Sequence, residues 1–200
     1  MNVTILDYGS ANYTSLVNFF NKFEKLSIKV SNKSTDLIKS DLLILSGVGA
    51  FDNAIKIIKK KKIDKIIRKH ISKKKPIMGI CLGMQILFEI SEESKDNLKG
   101  LSILKGRAKK LEKTNIGWKN LISKNFIFKN FNKNYFYFNH SYSQTCKKEY
   151  VLSYIKIKKK VVPAIIKKRN IIGLQFHPEN SQTNGVKLID FILEKIINYE

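Results

Sequence analysis

Two hundred residues suit one domain, and at that length roughly 70 % of the unfolded surface can be buried without disulfide or metal staples. Hydrophobic residues make up 43 % and charged residues 27 %, a balance that excludes a disordered chain, and no apolar run approaches the ~20 residues needed to span a bilayer. The net charge of +22 is carried almost wholly by scattered lysines, with arginine only at Arg68, Arg107 and Arg169, so a solvated basic surface is expected and no specific nucleic-acid site.

Cys81 and Cys146 are the only cysteines, too few for a disulfide framework, which points to a reducing compartment. The opening MNVTILDYGS has neither a basic n-region nor a small-residue cleavage site, so a cytoplasmic location is expected.

The first half alternates short apolar runs with helical periodicity, as in a parallel α/β sheet. Strands are predicted over Val3–Leu6, Ile28–Val30 and Leu42–Leu45. Helices are predicted over Thr14–Phe23 and from Ser34 and Thr35, as capping residues, to Ser40. After the loop Ser46–Ala50 come helical stretches carrying Phe51, Ala54, Ile55 and Ile58, then Ile63, Ile66, Ile67 and His70, with His70 exposed or partly packed. Pro76–Ile80 reads as a buried strand from its continuous apolarity, and Leu82–Ile90 as a helix.

From about Ile103 the pattern shifts to alternating strands, including Tyr135–Phe138, Val151–Ile157, Val161–Ile166 and Ile171–Gln175. A final helix, Gly185–Tyr199, presents Val186, Ile189, Leu193 and Ile196 at 3.6 spacing. The expected fold is α/β: a single domain over 1–200, a three-layer sandwich with a mostly parallel central sheet and an added antiparallel strand region in the C-terminal half.

Two segments carry chemistry. Gly79-Ile80-Cys81-Leu82-Gly83 follows a buried strand and opens a helix, the setting of a nucleophile elbow with Cys in place of Ser. Glycines flank the nucleophile because larger side chains would clash in so tight a turn. The helix start offers free N–H groups and a positive dipole end, which favour thiolate and a developing oxyanion. The plainer reading, a small buried hydrophobe, is the usual fate of a free cysteine.

Gly173-Leu174-Gln175-Phe176-His177-Pro178-Glu179 supplies partners. His177 follows a strand and is predicted at a sheet edge. Glu179, two residues on in extended backbone, points the same way and can orient the imidazole. Pro178 restricts His177 to an extended conformation.

GICLGMQ and GLQFHPE together resemble the class I (triad) glutamine amidotransferases, and the order Cys, His, Glu matches. Ile5, Asp7, Tyr8, Gly9 and Asn12, the loop Gly47–Phe51, the run Ile116–Trp118, Tyr137–Tyr142 and His177–Gly185 further resemble the glutaminase subunits of imidazole glycerol phosphate synthase, nearly end to end. The resemblance implies a catalytic triad of Cys81, His177 and Glu179. It implies an oxyanion hole from Gly47, Val48 and Gly49 with Leu82, and a seat for the substrate's amino-acid end from Gln85 with the backbone of His140, Ser141 and Tyr142. An ordinary helix-entry turn for Gly47–Gly49 and a solvent-facing position for Gln85 are the alternatives.

Hydrolysis of L-glutamine to glutamate and ammonia follows from the resemblance, without metal or cofactor. Ammonia then passes to a (β/α)8-barrel cyclase/synthase partner in a heterodimer that makes imidazole glycerol phosphate and AICAR in histidine biosynthesis. A paralogous glutaminase feeding a sugar-modifying synthase in surface polysaccharide assembly is the alternative. Trp118, with Tyr137, is expected either at the docking face or filling the core. The chain departs from the family's pattern at Ser46 (usually Pro), at Asn180 (usually a Lys that pairs with the partner) and at Thr114-Asn115 (commonly Pro-His).

Overall fold

The computed structural model describes residues 1–9, 13–47, 49–123 and 125–197. In chain order these form β1 (Asn2–Leu6), α1 (Thr14–Phe20), β2 (Ser27–Ser31), α2 (Ser34–Lys39), β3 (Leu42–Gly47), α3 (Phe51–Lys60), α4 (Ile63–Ser72), β4 (Ile77–Cys81), α5 (Leu82–Gln85), β5 (Phe88–Ser91), β6 (Leu104–Asn120), β7 (Tyr135–Cys146), β8 (Val151–Ile157), β9 (Lys160–Lys168), β10 (Ile171–Leu174) and α6 (Gln182–Ile192).

The main sheet runs β2-β1-β3-β4-β10-β9-β8. Its first five members are parallel, and β9 and β8 continue it antiparallel. Strands covered on both faces need apolar residues at every position rather than at alternate ones, and β3 and β10 are buried throughout. Successive side chains of β3 serve opposite layers: Leu42 and Ile44 join α1 and α6 in one core, while Leu43 and Leu45 join α2, α3 and α4 in the other. Helices therefore sandwich the sheet, as the sequence predicts. A smaller sheet, β5-β6-β7, pairs β6 antiparallel with β7 and leans on the carboxyl edge of the main sheet through a bridge between Tyr137 and His177. No helix among the described residues is long and apolar enough to cross a membrane.

Several expectations are corrected. The predicted helix Leu82–Ile90 stops at Gln85, and Phe88–Ser91 pairs with β6 instead. Leu82, Ile86 and Ile90 have helical spacing, but Phe88 also alternates with Ile90, and a strand partner decided between the two periods. The lysine-rich stretch before Ile116 is the first part of a 17-residue strand, β6.

Helix α1 ends at Phe20, although Phe23 still packs edge-on against Phe19. Ser34 and Thr35 do not cap α2: Lys33 takes the cap position and no side chain caps the helix. The last helix starts at Gln182 and passes into a π-helical turn over Leu193–Ile197, with Tyr199 outside the described residues.

His70 is neither exposed nor partly packed. It is 3 % exposed, and its Nε2–H donates to the Pro76 carbonyl at 3.2 Å. Burial pushes its pKa down to about 4. Because the folded value lies below the ordinary 6.5, the unfolded chain takes the proton first, and stability is lost as pH falls through that window toward about 4. His70→Gln keeps an N–H for Pro76 but cannot titrate, so its melting temperature should fall less than the parent's between about pH 7 and pH 4. Equal falls in thermal unfolding would assign the acid sensitivity elsewhere.

Candidate active site

Strand β4 ends on Cys81, which stands at φ 52°, ψ −107°, and α5 begins at the next residue. Positive φ on a residue with a Cβ costs on the order of 1–3 kcal/mol and persists only where the surroundings enforce it. Here they do. A Cβ on Gly83 would lie 1.7 Å from the Leu45 carbonyl oxygen, and one on Gly79 would lie 2.7 Å from that of Gly83. The turn is thus pressed backbone to backbone against β3, and Cys81 is levered out at the sheet's carboxyl edge. In the parallel register Gly47 lies beside Cys81, and Leu174 beside Ile80.

From Leu174 the chain runs three residues to His177, whose N–H donates to the Tyr137 carbonyl at 2.9 Å. His177 is extended, at φ −99°, ψ 99°, as the following Pro178 requires. Its Nδ1 lies 2.8 Å from Glu179 Oε1, and Cys81 lies close enough to the same ring to favour its protonated form. Glu179 arrives by a different route from the extended i, i+2 geometry predicted: Pro178–Asn180 is a single 3-10 turn that folds the carboxylate back onto the imidazole. Ser181, fully buried, locks this turn by donating to the His177 carbonyl at 2.6 Å and accepting from the Tyr137 N–H at 3.0 Å.

Burial alone would lower the His177 pKa, but the hydrogen bonds and charges of Cys81 and Glu179 outweigh it and raise the value to about 10. The ring therefore holds its proton at neutral pH, with Glu179 Oε1 accepting at Nδ1. The Cys81 sulfur also lies 3.7 Å from the Asn139 carbonyl oxygen, which places β7 along the other side of the nucleophile.

The remaining predicted residues surround this triad. Gly47 ends β3 with the Tyr8 ring so close that a Cβ would meet Tyr8 Oη at 2.8 Å. Gly49 follows, and Val48 and Asn12 lie outside the described residues. Leu82 opens α5 and is buried. Gln85 does not face solvent: its Nε2 donates to Ser91 Oγ at 2.7 Å and to Glu93 Oε2 at 2.6 Å.

Ser141 Oγ lies 2.9 Å from Thr114 Oγ. Tyr142 has its ionisation made harder first by burial and then by the charges of Glu93 and Glu92. The buried His140 ring bonds the Tyr142 carbonyl through Nδ1 and Asn115 through Nε2, each at 2.8 Å. Trp118 is 42 % exposed with its ring edge-on to Tyr137, and is not a core residue.

Sequence reasoning missed Glu93 and Ser181. Glu93 holds Gln85 with one oxygen and the Phe51 N–H, at the start of α3, with the other. Nothing local in the run SEES marks one glutamate as the one that reaches a helix 42 residues away in the chain. Ser181 sits within the stretch that carries the family resemblance but has no sequence signature of its own. Among the described residues no cluster of three or more His, Cys, Asp or Glu is placed to hold a metal.

A cysteine on a strand–helix elbow, a histidine near it and a glutamate bonded to that histidine form the arrangement expected of a triad hydrolase. The chain belongs to the class-I glutamine amidotransferase family, whose model matches residues 4–194. Among its curated relatives, imidazole glycerol phosphate synthase subunit HisH of Oceanobacillus iheyensis is 38 % identical, over 94 % of this chain and 96 % of that one. The HisH subunit of Thermotoga maritima is 32 % identical over 97 % of each. In fold the chain is similar to the solved PurLQS structure of Thermotoga maritima, with a TM-score of 0.73 over 96 % of this chain and 97 % of that one at 22 % identity.

Cys81→Ala removes one of the two groups that hold the His177 proton, and Glu179→Gln weakens the other. Each should move the His177 pKa down from about 10 by more than roughly one unit, read by NMR titration of the imidazole. A histidine that still titrates near 10 in both variants would show that neither partner holds the proton.

Proposed function

We propose that this chain is the glutaminase subunit of an imidazole glycerol phosphate synthase, acting as one domain on L-glutamine. The observation that carries the reading is the elbow cysteine at positive φ, near a histidine whose Nδ1 is bonded to a carboxylate at 2.8 Å.

The sulfur of Cys81 attacks the side-chain amide carbon of glutamine. The tetrahedral oxyanion is held by backbone N–H groups of the Gly47–Gly49 loop and of Leu82, a loop that glycine lets turn its amides toward substrate. The C–N bond breaks as His177 gives its proton to the leaving nitrogen, and ammonia departs from a thioester on Cys81. His177, now neutral, takes a proton from water as its oxygen attacks the thioester. The C–S bond then breaks, glutamate leaves, and the sulfur–imidazole pair is restored.

Gln85 and the Glu93 carboxylate hold the substrate's amino-acid end, Glu93 supplying the negative charge that an α-ammonium needs. Both Gln85 donors are tied to Ser91 and Glu93, which leaves the amide oxygen to accept.

Ammonia protonated in water is no longer a nucleophile, so a synthase partner, a (β/α)8-barrel cyclase, takes it up directly. The docking face is built from Ile116 and Trp118 of β6 and Tyr135 and Tyr137 of β7, with Trp118 and Tyr137 paired across the strands beside the triad. Asn180 lies next to Glu179 where the family usually has a lysine for the partner, so docking here depends on the aromatic face rather than on charge at that position. The HisH names of the relatives favour the histidine pathway over the polysaccharide reading.

Cys81→Ala should abolish glutamate release while the partner still uses free ammonia; release at the parent rate would end the proposal. Glu93→Gln should raise the KM for glutamine about tenfold with a smaller change in kcat, measured by coupled glutamate assay. Trp118→Ala should weaken partner binding about 10–100-fold in calorimetry. Restored growth of a histidine auxotroph that lacks its own subunit tests the pathway.

A further inference from the structure

The buried histidine His140 has both ring nitrogens committed. Nδ1 lies 2.8 Å from the Tyr142 carbonyl oxygen, an obligate acceptor, so Nδ1 carries a hydrogen. The amide nitrogen of Asn115 lies 2.8 Å from Nε2. If the Asn115 amide were reversed to present its oxygen, both nitrogens would face acceptors and the ring would have to be a cation. His140 is 6 % exposed, the protonated His177 lies within electrostatic reach, and its nearest ring neighbour is Phe138 at 5.7 Å. None of these tolerates a second cation, so Asn115 is the donor and His140 is neutral.

The placement of this pair gives it a role. Pairing between β6 and β7 runs from Gly106–Cys146 to Lys110–Tyr142, then jumps to Asn115–His140. Leu111–Thr114 therefore bulge out opposite the single residue Ser141. A bulge weakens the ladder at the point where it occurs. Asn115 and His140 close its far side by side-chain bonds, and the His140 Nδ1–H clamps the strand two residues on, at Tyr142. The clamped segment is Asn139–Tyr142, with Asn139 against Cys81 and Tyr142 beside Glu93.

We propose that Asn115 is a positioning residue for glutamine: its amide fixes His140 as the neutral Nδ1–H tautomer, which holds the Tyr142 carbonyl and shapes the segment that receives the substrate. The inference rests on the glutaminase reading and extends it to a residue where this chain departs from the family's usual histidine.

The test uses the full chain in the Cys81→Ala background, so that glutamine binds without turnover, with Asn115→Asp and Asn115→Leu added singly. A carboxylate at 115 demands a proton on Nε2, so in Asn115→Asp the imidazole 15N shifts of His140 should move to the cationic form near neutral pH. In Asn115→Leu glutamine affinity by calorimetry should fall about tenfold, the cost expected for losing one buried hydrogen bond, and in Asn115→Asp it should fall because the ring becomes a second buried cation near His177. Asn115→His, which keeps an N–H donor, should restore affinity.

Alkylation of Cys81 by iodoacetamide, measured with Cys81 intact, should stay within about twofold of the parent in all three, since Asn115 does not touch the triad. Unchanged glutamine affinity in both Asp and Leu variants would overturn the proposal, and so would an alkylation rate that falls in step with affinity, which would mean general loosening. If the parent itself does not bind glutamine, the glutaminase reading fails and this inference with it, whereas failure of the variants alone leaves that reading standing.

Discussion

Everything in the site depends on the contact of Gly83 with the Leu45 carbonyl. With a Cβ-free residue there, the chain after β4 can press against β3 and turn within one residue, which forces Cys81 to positive φ and aims its sulfur beyond the sheet. With any other residue, β3 and β4 would have to separate, and with them the parallel register that sets Gly47 beside Cys81. The strain on Cys81 is therefore held by strand pairing, which is the most buried and least yielding part of the molecule. The third segment joins by the same logic, because β10 lies in register on the other side of β4 and releases the chain three residues before His177.

The two histidines at this edge show that burial alone does not set a proton's affinity. His177 and His140 are 4 % and 6 % exposed, yet one is raised to about 10 and the other pushed down to about 4. Desolvation pulls both down. His177 is bonded by a carboxylate and has Cys81 nearby, both of which favour a positive ring, whereas His140 has one carbonyl and one amide donor, a set that satisfies a neutral ring completely. Each also supports the other, since the charge on His177 further disfavours one on His140. A pair of like groups driven apart in this way is the pattern by which a fold assigns acid and bystander.

How much of this was legible in the sequence follows from the range of each interaction. The parallel core was, because β3, β4 and β10 are continuous apolar runs that only two-sided burial explains. The elbow was, because glycines two residues either side of a cysteine, between strand and helix, leave little else to build. Segments whose partner lies far away were not. Phe88–Ser91 fits helix or strand until β6 is there to pair with, and β6 itself, Lys-rich and exposed on one face, has almost no hydrophobic signature over its first half. His70 looked peripheral because its acceptor is the carbonyl before β4, and its burial depends on how α4 packs rather than on its neighbours in the chain. Glu93 and Ser181 act through bonds to α3 and β7, and no local pattern records such bonds.

The distribution of charge bears on the proposed docking face in a way the total does not. In a chain where 38 of 200 residues are Lys or Arg, chance would put one or more cations on any patch of seven. The outward positions beside the proposed triad are Ile116, Trp118 and Asn120 on β6, Tyr135, Tyr137 and Asn139 across from them on β7, and Asn180 after Glu179, with no charged group among them. Interface centres are depleted of charge because a buried unpaired lysine is costly, while tyrosine and tryptophan bring large area at little entropic cost. A lysine at 180 adds nothing here unless the partner offers a carboxylate, and asparagine desolvates more cheaply. The basic bias stops at the proposed docking face, and that boundary is the physical reason to place the partner there.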